Sequence, residues 1–209
     1  METPKQLGRV GIIGRFRPLH NGSASLLDSL CSKADKVIIG IGSSNRYNFR
    51  NPFTAEETIE MIDKYLADKY ENYEIILLPD FAHIPEYRDG KKWKSNVIDK
   101  FGKLDYFVTG NPYVAELLKG NFKILDPEQI NPKLCTCRVH GKEVRLKMVD
   151  FDDWQSLVPP KVADYLERND LVERMRKRFG LITIGMLQER SDLRNFESLE
   201  EERQNVFGK

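Results

Sequence analysis

The run Gly8-Arg9-Val10-Gly11-Ile12-Ile13-Gly14-Arg15-Phe16-Arg17-Pro18-Leu19-His20-Asn21-Gly22-Ser23 constrains this chain more than any other stretch. Val10 to Ile13 is a short, largely β-branched apolar run that breaks at Gly14. A turn rich in arginine, proline and glycine follows, and Leu26, Leu27 and Leu30 then fall at helical spacing. Strand, loop and helix in that order aim backbone N–H groups and a helix N-terminus at one point, an arrangement that suits a phosphate. Arg15, Arg17 and His20 lie inside the turn, where the charge of a polyphosphate would need neutralising.

The rest of the chain continues the alternation. Val37–Ile41 reads as a second strand with no polar side chain, hence buried on both faces. Thr54 to Tyr70 reads as the clearest helix, with Thr54 and Glu57 as a capping box and Ile59, Ile62 and Leu66 on one face. Tyr73–Leu78 and Tyr106–Val108 give strands three and four. A helix through Tyr113–Leu118, a short strand around Phe122–Leu125 and an irregular stretch to Pro132 come next. Beyond Pro159-Pro160 the chain turns helical and charged from Val162 to Phe179. The apolar patch Leu181-Ile182-Thr183-Ile184 leads from there into a charged tail, Glu189–Lys209, read as a solvated helix or disordered. This spacing predicts an α/β fold: a Rossmann-like parallel sheet with right-handed crossovers, flanked by helices, with a helical C-terminal segment.

In such sheets ligands bind beyond the carboxyl ends of the strands. The turn after strand one falls there, as do Gly42-Ser43-Ser44, Asp80 and Thr109-Gly110-Asn111-Pro112 after the next three strands.

Composition excludes several classes. The net charge of +1 lacks the basic excess of a dedicated nucleic-acid binder. No apolar run reaches the length of a membrane span, and the N-terminus shows no signal-peptide core, so a cytoplasmic protein is expected. Three cysteines make no disulfide framework, and Cys135-Thr136-Cys137 lacks zinc-knuckle spacing; no protein metal site is expected.

Gly14-Arg15-Phe16-Arg17-Pro18-Leu19-His20-Asn21-Gly22-Ser23 resembles the Gly-Arg-Phe-x-Pro-x-His-x-Gly-His signature of archaeal nicotinamide-nucleotide adenylyltransferases, in the nucleotidyltransferase superfamily. Gly42-Ser43, Arg50-Asn51-Pro52-Phe53-Thr54, Gly110-Asn111-Pro112 and Trp154 with Leu157-Val158-Pro159 resemble later motifs of that family in the same order. The resemblance implies a nucleotidyltransferase domain over 1–180 and a charged C-terminal extension over 181–209. It implies adenylyl transfer, with the 5′-phosphate of nicotinamide mononucleotide (NMN) attacking the α-phosphorus of ATP to give NAD and pyrophosphate. Partners would be ATP and NMN, with Mg2+ carried on the ATP phosphates, and no nucleic acid or membrane. The charged tail would serve a homo-oligomer or nothing.

Carried over residue by residue, the resemblance assigns ATP to Gly14, Arg15, Phe16, His20, Gly22, Ser23, Asn111, Lys142 and Arg145. Catalysis falls to His20, Arg15, Ser23 and Arg145, and NMN to Gly42, Ser43, Arg50, Asp80 and Trp93. The alternatives are structural: a turn cap for Asp80, a helix cap for Asn111, a packing role for Trp93. Trp154 is expected in the core, His83 in a structural role, and Arg17 on the surface.

Two positions depart from the family pattern. Ser23 stands where the signature has its second histidine; losing one preorganised donor typically costs about 2.7–4 kcal/mol. His140-Gly141-Lys142-Glu143-Val144-Arg145 stands where the family has Ser-Gly-Thr-x-Ile-Arg, keeping the glycine and arginine and losing both hydroxyls. Two further readings stay open: a weakened paralogue that only binds nucleotide, and an adenylyltransferase for another phosphate acceptor such as FMN or phosphopantetheine. Acceptor choice would be written in the Ala82–Trp93 loop.

Overall fold

β1 (Leu7–Gly14) sits in the middle of the sheet because its residues alternate between two apolar layers, and both its edges are paired. In the computed structural model, which describes residues 7–132 and 139–192, the strand order is β3-β2-β1-β4-β5, all parallel. β2 spans Ala34–Gly42, β3 Tyr73–Leu78, β4 Tyr106–Val108 and β5 Ile124–Leu125. The α/β reading with a parallel sheet holds, and β3 and β4 keep the bounds expected from sequence. Val37, Ile38, Ile39 and Ile41 are all buried, so β2 is covered on both faces as its composition requires.

Helices α1 (Asn21–Lys33) and α2 (Ala55–Leu66) cover one face with α6 (Gly141–Val149), α7 (Pro160–Arg168) and α8 (Leu171–Asp192). Their core joins Val10, Ile12, Val37, Ile39 and Ile41 to Leu27, Leu30, Met61, Ile62, Met148 and Met175, and it includes Trp154. A smaller core on the other face joins Ile38, Leu78 and Phe107 to Val97 and Phe101 of α3 (Lys91–Phe101) and Leu118 of α4 (Pro112–Leu118). Phe101 lies so close to the sheet that a Cβ at Gly11 or Gly40 would stand 2.7 or 2.9 Å from its ring carbons. The glycines inside β1 and β2 therefore make room for one aromatic ring.

Four α-helical features go beyond the sequence expectation, one of them α6, which spacing does not give. Spacing gives no helix between β3 and β4, yet α3 forms there with Gly90 at its N-cap in the left-handed region (φ 76°). The stretch before Pro132, expected to be irregular, contains the short α5 (Pro127–Ile130), capped by Asp126 and Gln129. Residue 180 lies within α8, which continues without a break to Asp192 and brings Ile184 against the main core. Cys135-Thr136-Cys137 and the tail beyond residue 192 lie outside the described residues. Among the described residues no helix is long and apolar enough to cross a membrane.

Candidate functional site

The turn after β1 is built around its glycine. Phe16 takes a positive φ of 51° and is buried, and its ring folds back so that a Cβ on Gly14 would lie 2.6 Å from it. Phe16 thus packs the loop from below. Arg15, one residue earlier, is exposed.

His20 ends the turn as the N-cap of α1. Its Nδ1 accepts the backbone N–H of Ser23 at 3.3 Å, which leaves the imidazole proton on Nε2. Burial, reinforced by His140 and Arg145, pushes His20 down to about 4, so the ring is a neutral donor near pH 7. Gly22 is buried in the first turn of α1. Ser23 directs its hydroxyl back to the His20 carbonyl oxygen at 3.1 Å, so that donor faces the helix's own backbone.

α6 brings its N-terminus to the same place. His140 occupies the N-cap position without a side-chain capping bond. A Cβ on Gly141 would lie 3.3 Å from Arg145 Nη1, 3.7 Å from the Arg17 carbonyl oxygen and 3.8 Å from His20 Cδ2. Glycine there lets the helix end, His20 and Arg145 meet. Arg145 is 9% exposed and donates from Nη1 to the Arg17 carbonyl at 2.9 Å. Burial, with Arg15 and Arg50 nearby, pushes its guanidinium down to about 9. Lys142 is exposed on the first turn of α6. Two helix N-termini and a set of mutually repelling arginines thus converge, which favours an anion carrying several charges.

Arg17 is a correction: expected at the surface, it is 2% exposed. Its guanidinium donates to the Ser43 and Arg46 carbonyls at 3.0 and 3.4 Å and to Thr58 Oγ1 at 3.3 Å. Burial, with Arg15 adding, pushes it down to about 10, while Glu56 and Glu57 oppose the shift. The loop after β2 supplies the carbonyls that make this burial tolerable. Phe16, Pro18 and Leu19, which flank Arg17, are the sequence signal that could have marked it as buried.

The remaining residues follow β2, β3 and β4 or sit on α3. Gly42 closes the strand, and Ser43 turns with a φ of 53°. Ser43 Oγ donates to Asp80 Oδ2 at 3.4 Å, and Asp80 Oδ1 accepts the Ala82 amide at 2.8 Å. Asn45 and Asp80 exchange bonds at 3.0 and 2.7 Å. Asp80 is thereby a turn cap as well as a neighbour of Ser43. Asn48 and Asn51 pair across a tight turn, with Arg50 on it and its guanidinium 5.6 Å from the Phe49 ring centroid. Asn111 caps α4, its Oδ1 accepting from Tyr113 and Val114 at 2.9 and 3.3 Å. Trp93 lies on the first turn of α3 and packs, half-buried, against the smaller core. His83 is exposed. The structure therefore brings together Arg15, His20, Ser23 and Arg145, with Arg50 in electrostatic reach, and gives Asn111 and Trp93 structural contacts.

Fold and site define the class: an α/β protein whose first strand–turn–helix unit gathers two helix N-termini and arginines at the carboxyl edge of a parallel sheet. The chain belongs to the cytidylyltransferase-like family, whose model matches residues 12–177, and this makes it a nucleotidyltransferase. It is 31% identical over 174 residues to the nicotinamide-nucleotide adenylyltransferase of Archaeoglobus fulgidus, covering 82% of this chain and 98% of that protein. The enzyme of the same name from Halobacterium salinarum is 33% identical over 166 residues, covering 78% of this chain and 88% of the relative. Among solved structures, a Francisella tularensis protein resembles it with a TM-score of 0.60 at 19% identity. That protein is described as a bifunctional NMN adenylyltransferase/ADP ribose pyrophosphatase complexed with AMP and a manganese ion. The likeness covers 82% of this chain and 52% of the other, so the chain spans about half of that bifunctional protein.

Proposed function

We propose that the protein is a cytoplasmic nicotinamide-nucleotide adenylyltransferase, joining ATP and NMN to give NAD and pyrophosphate. The observation that carries this reading is the meeting of His20, Gly141 and Arg145 where the N-termini of α1 and α6 converge.

A phosphate oxygen of NMN attacks the α-phosphorus of ATP, a P–O bond forms, and the bond to the pyrophosphate oxygen breaks. The attacking phosphate is already an anion, so no general base is required. Catalysis is alignment and neutralisation of developing charge. Neutral His20 donates from Nε2 to a phosphate oxygen, and the N–H groups at the two helix ends add further donors. Arg15 and Arg145 supply the full positive charges.

Magnesium enters as part of the ATP substrate. That ion is held largely by the ATP phosphates and not by a protein cage. Gly42, Ser43, Arg50 and Asp80 border the acceptor side. Arg50 pairs with the NMN phosphate.

The test is direct: purified protein with ATP, magnesium and NMN, followed by NAD formation. NAD with stoichiometric pyrophosphate supports the reading. ATP binding by calorimetry without NAD would replace it with a nucleotide-binding module. Turnover of FMN or phosphopantetheine in preference to NMN would move the acceptor.

A further inference from the structure

Arg174, in the C-terminal helix α8, holds both legs of the turn that carries Arg50. The turn itself is tight: Asn51 N–H donates to the Asn48 carbonyl at 2.8 Å and Asn48 N–H to the Asn51 carbonyl at 3.2 Å. Asn48 Oδ1 accepts from the amides of Arg50 and Asn51 at 3.0 and 3.1 Å. Tyr47 precedes the turn and Pro52 follows it. The Arg174 guanidinium lies 5.6 Å from the Tyr47 ring centroid on one leg, and its Nη2 donates to the Pro52 carbonyl at 3.3 Å on the other.

Arg174 is itself fixed. It forms a two-pronged pair with Glu57, Nη1 to Oε1 at 2.5 Å and Nη2 to Oε2 at 2.6 Å. Glu57 is also the capping-box carboxylate of α2, accepting the Thr54 amide at 2.8 Å. A planar fork held at two points cannot rotate freely, so the contacts it makes to the turn are directional. One helical turn further along α8, Arg178 stands 5.0 Å from the Tyr47 ring, and Phe179 meets it edge-on at 5.2 Å. Tyr47 is 37% exposed, so this grouping is no part of the buried core. It ties one surface loop to one helix.

We propose that Arg174 is a positioning residue: through Tyr47 and Pro52 it fixes the Asn48–Asn51 turn, and so sets how Arg50 meets the acceptor phosphate. The proposal rests on the assignment of Arg50 to NMN. α8 thereby acts on substrate affinity from outside the site, because its grip falls on the acceptor loop and not on the phosphate loop after β1.

The experiment uses the full-length protein and two readouts. The first is hydrogen–deuterium exchange over residues 45–53. Arg174→Ala speeds exchange of the Asn48 and Asn51 amides while α1 and β1 keep their protection. The second is steady-state kinetics. Arg174→Ala raises the KM for NMN about tenfold or more, with the KM for ATP unchanged within about twofold, since an ångström-scale misplacement of a binding group is costly. Arg50→Ala gives the same defect, and the double variant is no worse than Arg50→Ala alone.

If Arg174→Ala does not fold, Tyr47→Ala tests the same grip at a more exposed position, and Tyr47→Phe, which keeps the ring, restores wild-type values. Unchanged exchange in residues 45–53, or additive losses in the double variant, overturns the proposal. Faster exchange together with an Arg50→Ala protein of normal KM for NMN leaves the grip in place and overturns the acceptor assignment instead.

Discussion

Arg145 Nη1 donates to the carbonyl oxygen of Arg17 at 2.9 Å, joining residues 128 apart in sequence. Arg17 in turn carries the Ser43 and Arg46 carbonyls. One chain of buried guanidinium-to-carbonyl bonds therefore runs from α6 through the loop after β1 to the loop after β2. Each arginine satisfies another segment's backbone in place of a carboxylate. Neither positive charge is cancelled by its hydrogen-bond partner, though Arg17 lies buried beneath the loop with Glu56 and Glu57 in electrostatic reach.

Replacing Arg145 tests that chain. Arg145→Ala removes a buried charge at the proposed phosphate site and leaves the Arg17 carbonyl without its partner. Loss of one preorganised donor predicts a fall in kcat of roughly 10²–10³, and the orphaned carbonyl about 1–3 kcal/mol of stability. Arg145→Lys restores charge without the fork and should recover only part of the rate. NAD formation under saturating substrates and urea unfolding measure the two effects; an undiminished rate would remove Arg145 from the catalytic set.

His20 gives a pH signature. Its folded value, pushed to about 4, lies below the ordinary histidine value of about 6.5. The unfolded chain therefore binds a proton there before the native one does. Stability from neutral His20 is full above about pH 6.5 and is lost as pH falls toward 4, an effect on the order of a few kcal/mol. Urea unfolding of the wild type and of His20→Gln at pH 7 and pH 4.5 should show a shallower acid loss in the variant. Parallel losses would mean that His20 is not held neutral.

Much of this was legible because local rules decided it. The Thr54–Glu57 capping box, the apolar β2 and the bounds of β3 follow from spacing alone. α3 escaped because its first turn is Lys91-Lys92-Trp93-Lys94 behind Gly90 at the N-cap; Asp89 accepts the Lys91 amide one residue too early to read as a cap. Its apolar face, Trp93, Val97 and Phe101, does keep the four-residue period. Arg17 was illegible for a different reason. A charged residue becomes buried only when distant segments bring acceptors, and those carbonyls belong to Ser43 and Arg46. The grip of Arg174 on the Arg50 turn depends likewise on a contact across 122 residues, to Pro52.

Phe101 separates stability from chemistry. It is fully buried, meets Phe107 edge-on at 5.5 Å and rests on Gly11 and Gly40. Phe101→Ala should cost about 3–5 kcal/mol through the cavity it leaves. Because its core lies on the face away from α1 and α6, the folded variant should keep the wild-type KM for ATP. Urea unfolding and kinetics at low temperature measure the pair. A changed KM would show that the two faces of the sheet are coupled.

Ser23 decides how much the signature's missing histidine matters. Its hydroxyl is turned to the His20 carbonyl at 3.1 Å, while its amide, not its side chain, holds His20 Nδ1. Ser23→Ala keeps the amide and deletes only the back-bonded hydroxyl, so kcat should stay within about twofold, since that donor already faces backbone. Ser23→His places a ring donor on the first turn of α1 and should raise kcat by roughly tenfold or more. The comparison is made with ATP and NMN saturating, so that binding does not mask the chemical step. A large loss in Ser23→Ala would mean the hydroxyl swings from the carbonyl to a phosphate during turnover. No gain in Ser23→His would mean that Lys142 and the α6 N-terminus already supply the charge that the second histidine would have brought.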